Sequence, residues 1–413
     1  MGASEALMAY IVGGVVAAFG LGLLAHRLGL SPVVGYLTAG ILIGPHTPGF
    51  AADGSIARQI ADIGVILIMF GLGLKFSLSS LLAFRWRPVA GAGLQMAAVT
   101  AAGYALGRHL GLAPQESAIF GFGLSVASTV VLLRALEDNR LTESGAGGIA
   151  VCWVLVQDVA AILALVIVPV LARTAAQESP AGAIAAALAV TAGQMALFVF
   201  LMLILGRRLL PPLLTFLIRA QLRELFSLGI FAIALGIAFL AHKVFGASFA
   251  LGAFFAGLVL NEADLSHQAM EDLLPLRDAF AVLFFVSVGI LIDPAIFATH
   301  FRQVLAVLGV ITLGNALASL AIMRVFAVPP RQRLIVAAGL AQVGEFTFLL
   351  TGFCVGLGLI PARTQALLLG AALLAIAINP FLFRAAIAVA GSLPEGQAPV
   401  ENTDELPAEQ QRR

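Results

Sequence analysis

The stretch VLVQDVAAILALVIVPVLA, residues 154–172, carries one carboxylate, Asp158, beside one amide, Gln157. The rest of it is apolar, with a proline near its end. An isolated charge in a low-dielectric medium is expensive, so such a residue requires a partner or a function. In a membrane helix starting near Gly148, Asp158 stands about ten residues in, roughly 15 Å at 1.5 Å per residue. A short aspartate at that depth does not reach water along its own helix. It can hold a proton or a cation in one place, and intramembrane carboxylates usually mark such pathways. The plainer alternative is a structural carboxylate bonded to a neighbouring helix.

Further candidates lie on either side in the chain. GFGLSVASTVVLLRALED (121–138) concentrates Ser125, Ser128 and Thr129 with small residues near its middle. Such a helix can unwind and offer carbonyl and hydroxyl oxygens to a cation, although small residues also serve plain close packing. GLAQVGEFTF (339–348) supplies Gly344 and Glu345, and Glu345 either binds the ion or holds freed backbone N–H groups. Two broken helices crossing at mid-membrane would face each other and Asp158. Asp62 and Glu116 read as first-turn acids favoured by the helix dipole. Lys75 and Lys243, the lysines of the chain, fall at helix ends, so none stands ready to pair with Asp158. One carboxylate trading one proton for one monovalent cation predicts 1:1, electroneutral turnover.

These residues need long apolar elements to hold them. The chain is 61% hydrophobic and 11% charged, with mean hydropathy +1.03. A soluble domain carries roughly 25% charged residues. The pattern predicts an all-α polytopic membrane protein with about thirteen transmembrane helices. Their centres fall near Val16, Leu37, Ile68, Val99, Val126, Leu163, Phe198, Leu235, Phe255, Phe285, Val310, Gly344 and Leu374. The first apolar run has no basic leader and reads as a retained helix. A net charge of +1 offers nothing to nucleic acid, and Cys152 and Cys354 lie alone in apolar runs. On a thirteen-span topology, Arg58, Arg108, Arg173, Lys243, Arg302 and Arg363 share the N-terminal side. The rest of the 23 basic residues share the other. The positive-inside rule then predicts an external N-terminus and a cytoplasmic C-terminus. Residues 210–225 read as a separate cytoplasmic interfacial helix between two halves. Residues 391–413 read as a disordered tail after a membrane domain of residues 1–390.

The halves repeat. GYLTAGILIG (35–44) matches GAFFAGLVLN (252–261) at an offset of 217, and LIMFGLGL (67–74) matches LFFVSVGI (283–290) at 216. That offset spans seven helices, an odd number, so the second copy must be inverted. Two six-helix repeats, about 6–172 and 226–390, are then joined by helix 7, about 183–206. Inverted repeats are a mark of secondary transporters, with the site near the midplane. The offset carries Ser128–Thr129 onto Gly344–Glu345 but Asp158 onto the apolar Leu374.

Several segments, in order, resemble the Kef-type branch of the second monovalent cation:proton antiporter family. They are SPVVGYLTAGILIGP, STVVLLRALED, VQDVAAIL, LGAFFAGLVLNE, LRDAFAVLFFVSVGILID and AQVGEFTF. The resemblance implies an NhaA-like fold with two crossed discontinuous helices and a separate dimerisation region. It implies a homodimer, in the bacterial inner membrane and in contact with lipid, that exchanges potassium or sodium for protons. It places the ion on Asp158, with Gln157 as its polar neighbour and Ser128 and Thr129 as hydroxyls. No cofactor is expected in this chain beyond the transported K+ or Na+. Members of this branch usually continue into a cytoplasmic nucleotide-binding regulatory domain. No G-x-G-x-x-G after a strand is present here, so the chain is expected to be a shortened one or a member without that regulator. A regulated potassium channel-like pathway is the alternative, but no TVGYG-type filter occurs. An organic-anion symporter would need more polar contacts, and an intramembrane aspartyl protease a second facing aspartate.

Overall fold

The computed structural model describes residues 3–47, 54–75, 86–175, 181–220, 222–261 and 266–393. Among these every regular element is helical. Helices α1 (Ala3–Arg27), α2 (Pro32–Ile43) and α3 (Gly54–Lys75) open the chain. The start of α2 is set by Pro32 in its first turn and by Ser31, whose Oγ accepts from Val33 N. Then come α4 (Trp86–His109), the pair α5 (Pro114–Leu124) and α6 (Thr129–Asp138), and the long α7 (Gly145–Ala175). Asp158 sits near the middle of α7, which begins three residues before the expected start at Gly148.

Helix α8 (Ala181–Leu201) passes through a π-helical turn, Met202–Gly206, into α9 (Arg207–Arg219). The interfacial helix expected over residues 210–225 is not a separate element. Its first part continues α8, and its last residues belong to α10 (Arg223–Phe245). Pro211 and Pro212 fall in the first turns after the π turn, and the chain stays helical through them. Asp62 also departs from expectation: α3 starts at Gly54, so this residue lies past its second turn, away from the helix N-terminus. Glu116 does fall in the first turn of α5.

The second half runs through α11 (Phe249–Asn261), α12 (Ser266–Ile290), α13 (Phe301–Gly309) and a second π turn, Val310–Gly314. It continues through α14 (Asn315–Val325), the pair α15 (Pro330–Gly339) and α16 (Glu345–Gly356), and α17 (Ala362–Ala390). Of the expected tail, residues from 394 on lie outside the described residues. Nine described stretches are long and apolar enough to cross a membrane. Shorter apolar helices lie at Pro32–Ile43, Gln59–Leu74, Phe249–Asn261 and Glu345–Gly356.

Glycine sets how closely the first three helices meet α11 and α12. A Cβ on Gly40 of α2 would meet the Val286 carbonyl and, at 2.7 Å, the Cα of Gly289 on α12. A Cβ on Gly73 of α3 would meet the Phe254 carbonyl and, at 3.0 Å, the Cα of Gly257 on α11. The packing is reciprocal: α2 lies on α12 while α3 lies on α11. The sequence matches at offsets 217 and 216 align Gly40 with Gly257 and Gly73 with Gly289. Helices α4–α7 and α13–α17 carry the interrupted pairs and most of the buried polar residues among the described ones.

Candidate functional site

Helix α5 stops at Leu124 and α6 begins at Thr129, leaving residues 125–128 outside helical bonding. Ser128 starts α6 because its Oγ accepts from Val131 N at 3.2 Å. The matching interruption separates Gly339 from Glu345. The two extended segments cross where Gly344 N donates to the Val126 carbonyl at 3.1 Å. A Cβ at Gly344 would come within 2.6 Å of the Ser128 Cα, so this crossing needs glycine.

Asp158 is 1% exposed. Thr129 Oγ1 donates to its Oδ2 at 2.7 Å. Its other oxygen, Oδ1, is buried without any hydrogen-bond partner. Glu345, 6% exposed, accepts from Ser128 Oγ at 3.1 Å. Both carboxylates therefore hold the N-terminus of α6, and Glu345 is also the first residue of α16. Helix N-termini carry partial positive charge, which favours carboxylates placed there. Ser125 turns to its own helix end, with Oγ donating to the Phe122 carbonyl at 2.7 Å.

Gln157 makes its bonds to the interruption rather than to Asp158. Its Oε1 accepts from Ala127 N at 2.9 Å, and its Nε2 donates to Gln95 Oε1 on α4 at 2.8 Å. Gln95 Nε2 donates to Asn315 Oδ1 on α14 at 2.6 Å. Asn315 Nδ2 donates to the Leu124 and Ile311 carbonyls, at 2.9 and 2.8 Å. A second amide, Gln342, accepts from Ser128 N at 3.0 Å and donates to the Ser128 carbonyl at 3.1 Å. Thr347 Oγ1 donates to the Gly123 carbonyl, and Asn379 Nδ2 to the Ala338 carbonyl. Backbone groups freed by the interruptions thus find side-chain partners, as a buried polar group must.

Gln95, Asn315, Gln342, Thr347 and Asn379 were not among the sequence candidates. Gln95, Asn315 and Asn379 carried the same signal as Asp158, a lone polar residue inside an apolar helix, whereas Gln342 lies in the interruption after Gly339. Their partners lie up to 220 positions away, as between Gln95 and Asn315. Among the described residues no group of three or more His, Cys, Asp and Glu could hold a metal ion. Asp158 and Glu345 instead meet the α6 N-terminus through the Thr129 and Ser128 hydroxyls, with the Gln157 and Gln342 amides on the neighbouring backbone.

A cavity of about 270 Å³ is lined by Ser31, by Val131, Arg134 and Asp138 of α6, and by Asn379 and Arg384 of α17. It reaches Val131, two residues beyond the Thr129 that holds Asp158. Arg384 Nη2 donates to the Gly29 carbonyl at 3.2 Å, joining α17 to the turn after α1.

The family model described as "Sodium/hydrogen exchanger, transmembrane" matches residues 14–388. YbaL of Escherichia coli, assigned as a cation/proton antiporter, is 49% identical over 378 residues, covering 91% of this chain and 68% of that protein. The glutathione-regulated potassium-efflux system protein KefC of Klebsiella pneumoniae is 33% identical over 393 residues. That alignment covers 94% of this chain and 61% of KefC. Among solved structures, the sodium proton antiporter MjNhaP1 from Methanocaldococcus jannaschii superposes with a TM-score of 0.66 at 15% identity. The match covers 93% of this chain and 99% of that one, and shows a shared fold.

Proposed function

We infer the transport chemistry from one premise: this chain belongs to the sodium/hydrogen exchanger transmembrane family. It exchanges a monovalent cation for protons, with potassium favoured and sodium second. The potassium preference is supported by the resemblance to KefC, of whose length the chain spans 61%. The single observation that carries the site is Asp158, fully enclosed, with Thr129 on one oxygen and nothing on the other. A buried carboxylate with an unpaired oxygen has two ways to be satisfied, by a proton or by a cation, and exchange needs both in turn. Ser128, Gln157, Gly344 and Glu345 shape the crossover around it, and Ser125 closes the end of α5. One proton against one cation gives electroneutral 1:1 turnover by alternating access.

The architecture that best accommodates this has thirteen crossings. Two inverted six-helix repeats are joined by α8, in a homodimer with its N-terminus outside the bacterial inner membrane. The reciprocal Gly40–Gly289 and Gly73–Gly257 approaches support the inversion, because two copies related by a two-fold axis pair their equivalents crosswise. The test is purified protein in liposomes, with internal pH followed against gradients of potassium, sodium, lithium and rubidium. Cation-driven proton movement that does not build a membrane potential supports the proposal. Potassium flux without proton flux would replace it with a channel-like pathway.

A further inference from the structure

The three amides Gln95, Asn315 and Gln157 come from three helices, α4, α14 and α7, yet both ends of their chain land on one short segment. One end is the Leu124 carbonyl, held by Asn315; the other is Ala127 N, held by Gln157. All three side chains are fully buried. The chain also has a fixed direction. The Leu124 and Ile311 carbonyls only accept, so Asn315 must turn its Nδ2 to them and its Oδ1 to Gln95. Gln95 must then present Oε1 to Gln157, and Gln157 must present Oε1 to Ala127 N. Flipping any one amide would set acceptor against acceptor or donor against donor inside a buried site.

We propose that Gln95, Asn315 and Gln157 act as one positioning clamp that fixes the span from the end of α5 at Leu124 to Ala127 beside Asp158, and thereby sets cation selectivity. The inference rests on the exchange reading above. Thr129, which holds Asp158 Oδ2, follows this segment by two residues. Oxygen ligands select among monovalent cations by the size and stiffness of the space they enclose. A clamp that bridges the segment at both ends stiffens that space without contributing a ligand.

The clamp has a length as well as a direction, and this gives a test. Gln95→Asn removes one methylene from the chain, Asn315→Gln adds one, and the double variant keeps the sum. Exchange is measured in liposomes with lithium, sodium, potassium and rubidium. Intact protein and Asp158→Asn run alongside, and melting temperature is recorded for each. Each single variant is expected to weaken apparent affinity for the preferred cation about tenfold, the worth of roughly one buried hydrogen bond. Each is also expected to narrow the spread between cations. The double variant regains affinity and spread. Singles that keep the full spread, or a double whose losses add, overturn the clamp. Where the singles do not fold, a folded double with the native spread supports it, and a double that also fails to fold overturns it. If the intact protein itself shows no exchange, the transport reading has failed; if it exchanges and the variants match it, only the clamp has.

Discussion

Helices α1–α3 with α10–α12, and helices α4–α7 with α13–α17, are held together by different means. In the first group backbone meets backbone. Gly40 lies on Gly289 and Gly73 on Gly257, and the buried polar residues in the described part are Ser31, Ser287 and the Tyr10 hydroxyl. Tyr10 and Ser287 bond each other and nearby carbonyls, and the carboxylate that joins α12 to α10, Asp272 accepting from Ser227 Oγ at 2.8 Å, is only part-buried. In the second group side-chain amides and hydroxyls do the joining, and both buried carboxylates are there. Close glycine contact is non-directional and tolerates no added atom, so it makes a stiff body. An amide network is directional and tolerates polar cargo beside it, so it makes a site. Close glycine contact thus joins α1–α3 to α11 and α12, while directed amide and hydroxyl bonds surround the two carboxylates buried among the described residues.

The largest expected effect belongs to the second group. Asp158→Asn keeps the volume and can still accept from Thr129, but it cannot alternate between charged and neutral forms. Exchange should fall to the rate of empty vesicles while the melting temperature stays near that of the intact protein. A well-folded variant with normal exchange would remove Asp158 from the mechanism.

The converse change in the first group should cost stability and spare selectivity. Gly40→Ala puts a methyl against the Val286 carbonyl and the Gly289 Cα, and backbone cannot rotate aside as a side chain can. Overpacking of this kind costs about 1–3 kcal/mol. The melting temperature in detergent should drop, while the folded fraction keeps its native order of cation affinities. A change in that order with unchanged melting would show that the scaffold contributes to the site after all.

What could be read from the residues follows the same division. The matches at offsets of 217 and 216 were read as a repeat and fall on helices whose backbones touch, but the contacts of Gly40 with Gly289 and of Gly73 with Gly257 were not foreseen. Asp158, Ser128, Thr129, Gly344 and Glu345 were visible because a carboxylate or a hydroxyl–glycine cluster is unusual at mid-membrane. The pairing of Gln157 with Ala127, Gln95 and, through it, Asn315 was not visible, since an amide satisfies either a donor or an acceptor and its partners lie on other helices. Nor was the continuity of α8 into α9: two adjacent prolines normally interrupt a helix, and the π turn before them gave no signal in composition.

A finer test places one chemistry in both regions. Thr129→Val deletes the hydroxyl that donates to Asp158, whereas Thr38→Val deletes one that donates to the Val34 carbonyl of its own helix. A hydrogen bond to a charged group is worth roughly 1.5–3 kcal/mol, so Thr129→Val should weaken apparent cation affinity about tenfold or more. Thr38→Val should leave affinity unchanged, because α2 keeps its backbone bonds. Equal losses in the two variants would erase the distinction between scaffold and site.

The smallest effect is a displacement of the pH profile, and it isolates the role of the one unpaired oxygen. If a proton and a cation compete for Asp158, exchange falls at acidic pH, where the proton occupies the carboxylate, and recovers as pH rises. Each ligand lowers the apparent affinity for the other by the same factor, because linkage is reciprocal. Well above half-saturation, a tenfold rise in potassium should therefore move the recovery midpoint down by about one pH unit. Gly40→Ala should show the same displacement, since its change lies in the scaffold. Thr129→Val should show it only at about tenfold higher potassium, in step with its weakened affinity. The measurement is exchange rate against pH at several potassium concentrations, in vesicles of clamped voltage. A midpoint that stays fixed while potassium crosses its half-saturating value would mean that proton and cation occupy different groups. Glu345, the other buried carboxylate at the α6 N-terminus, would then be the first residue to test.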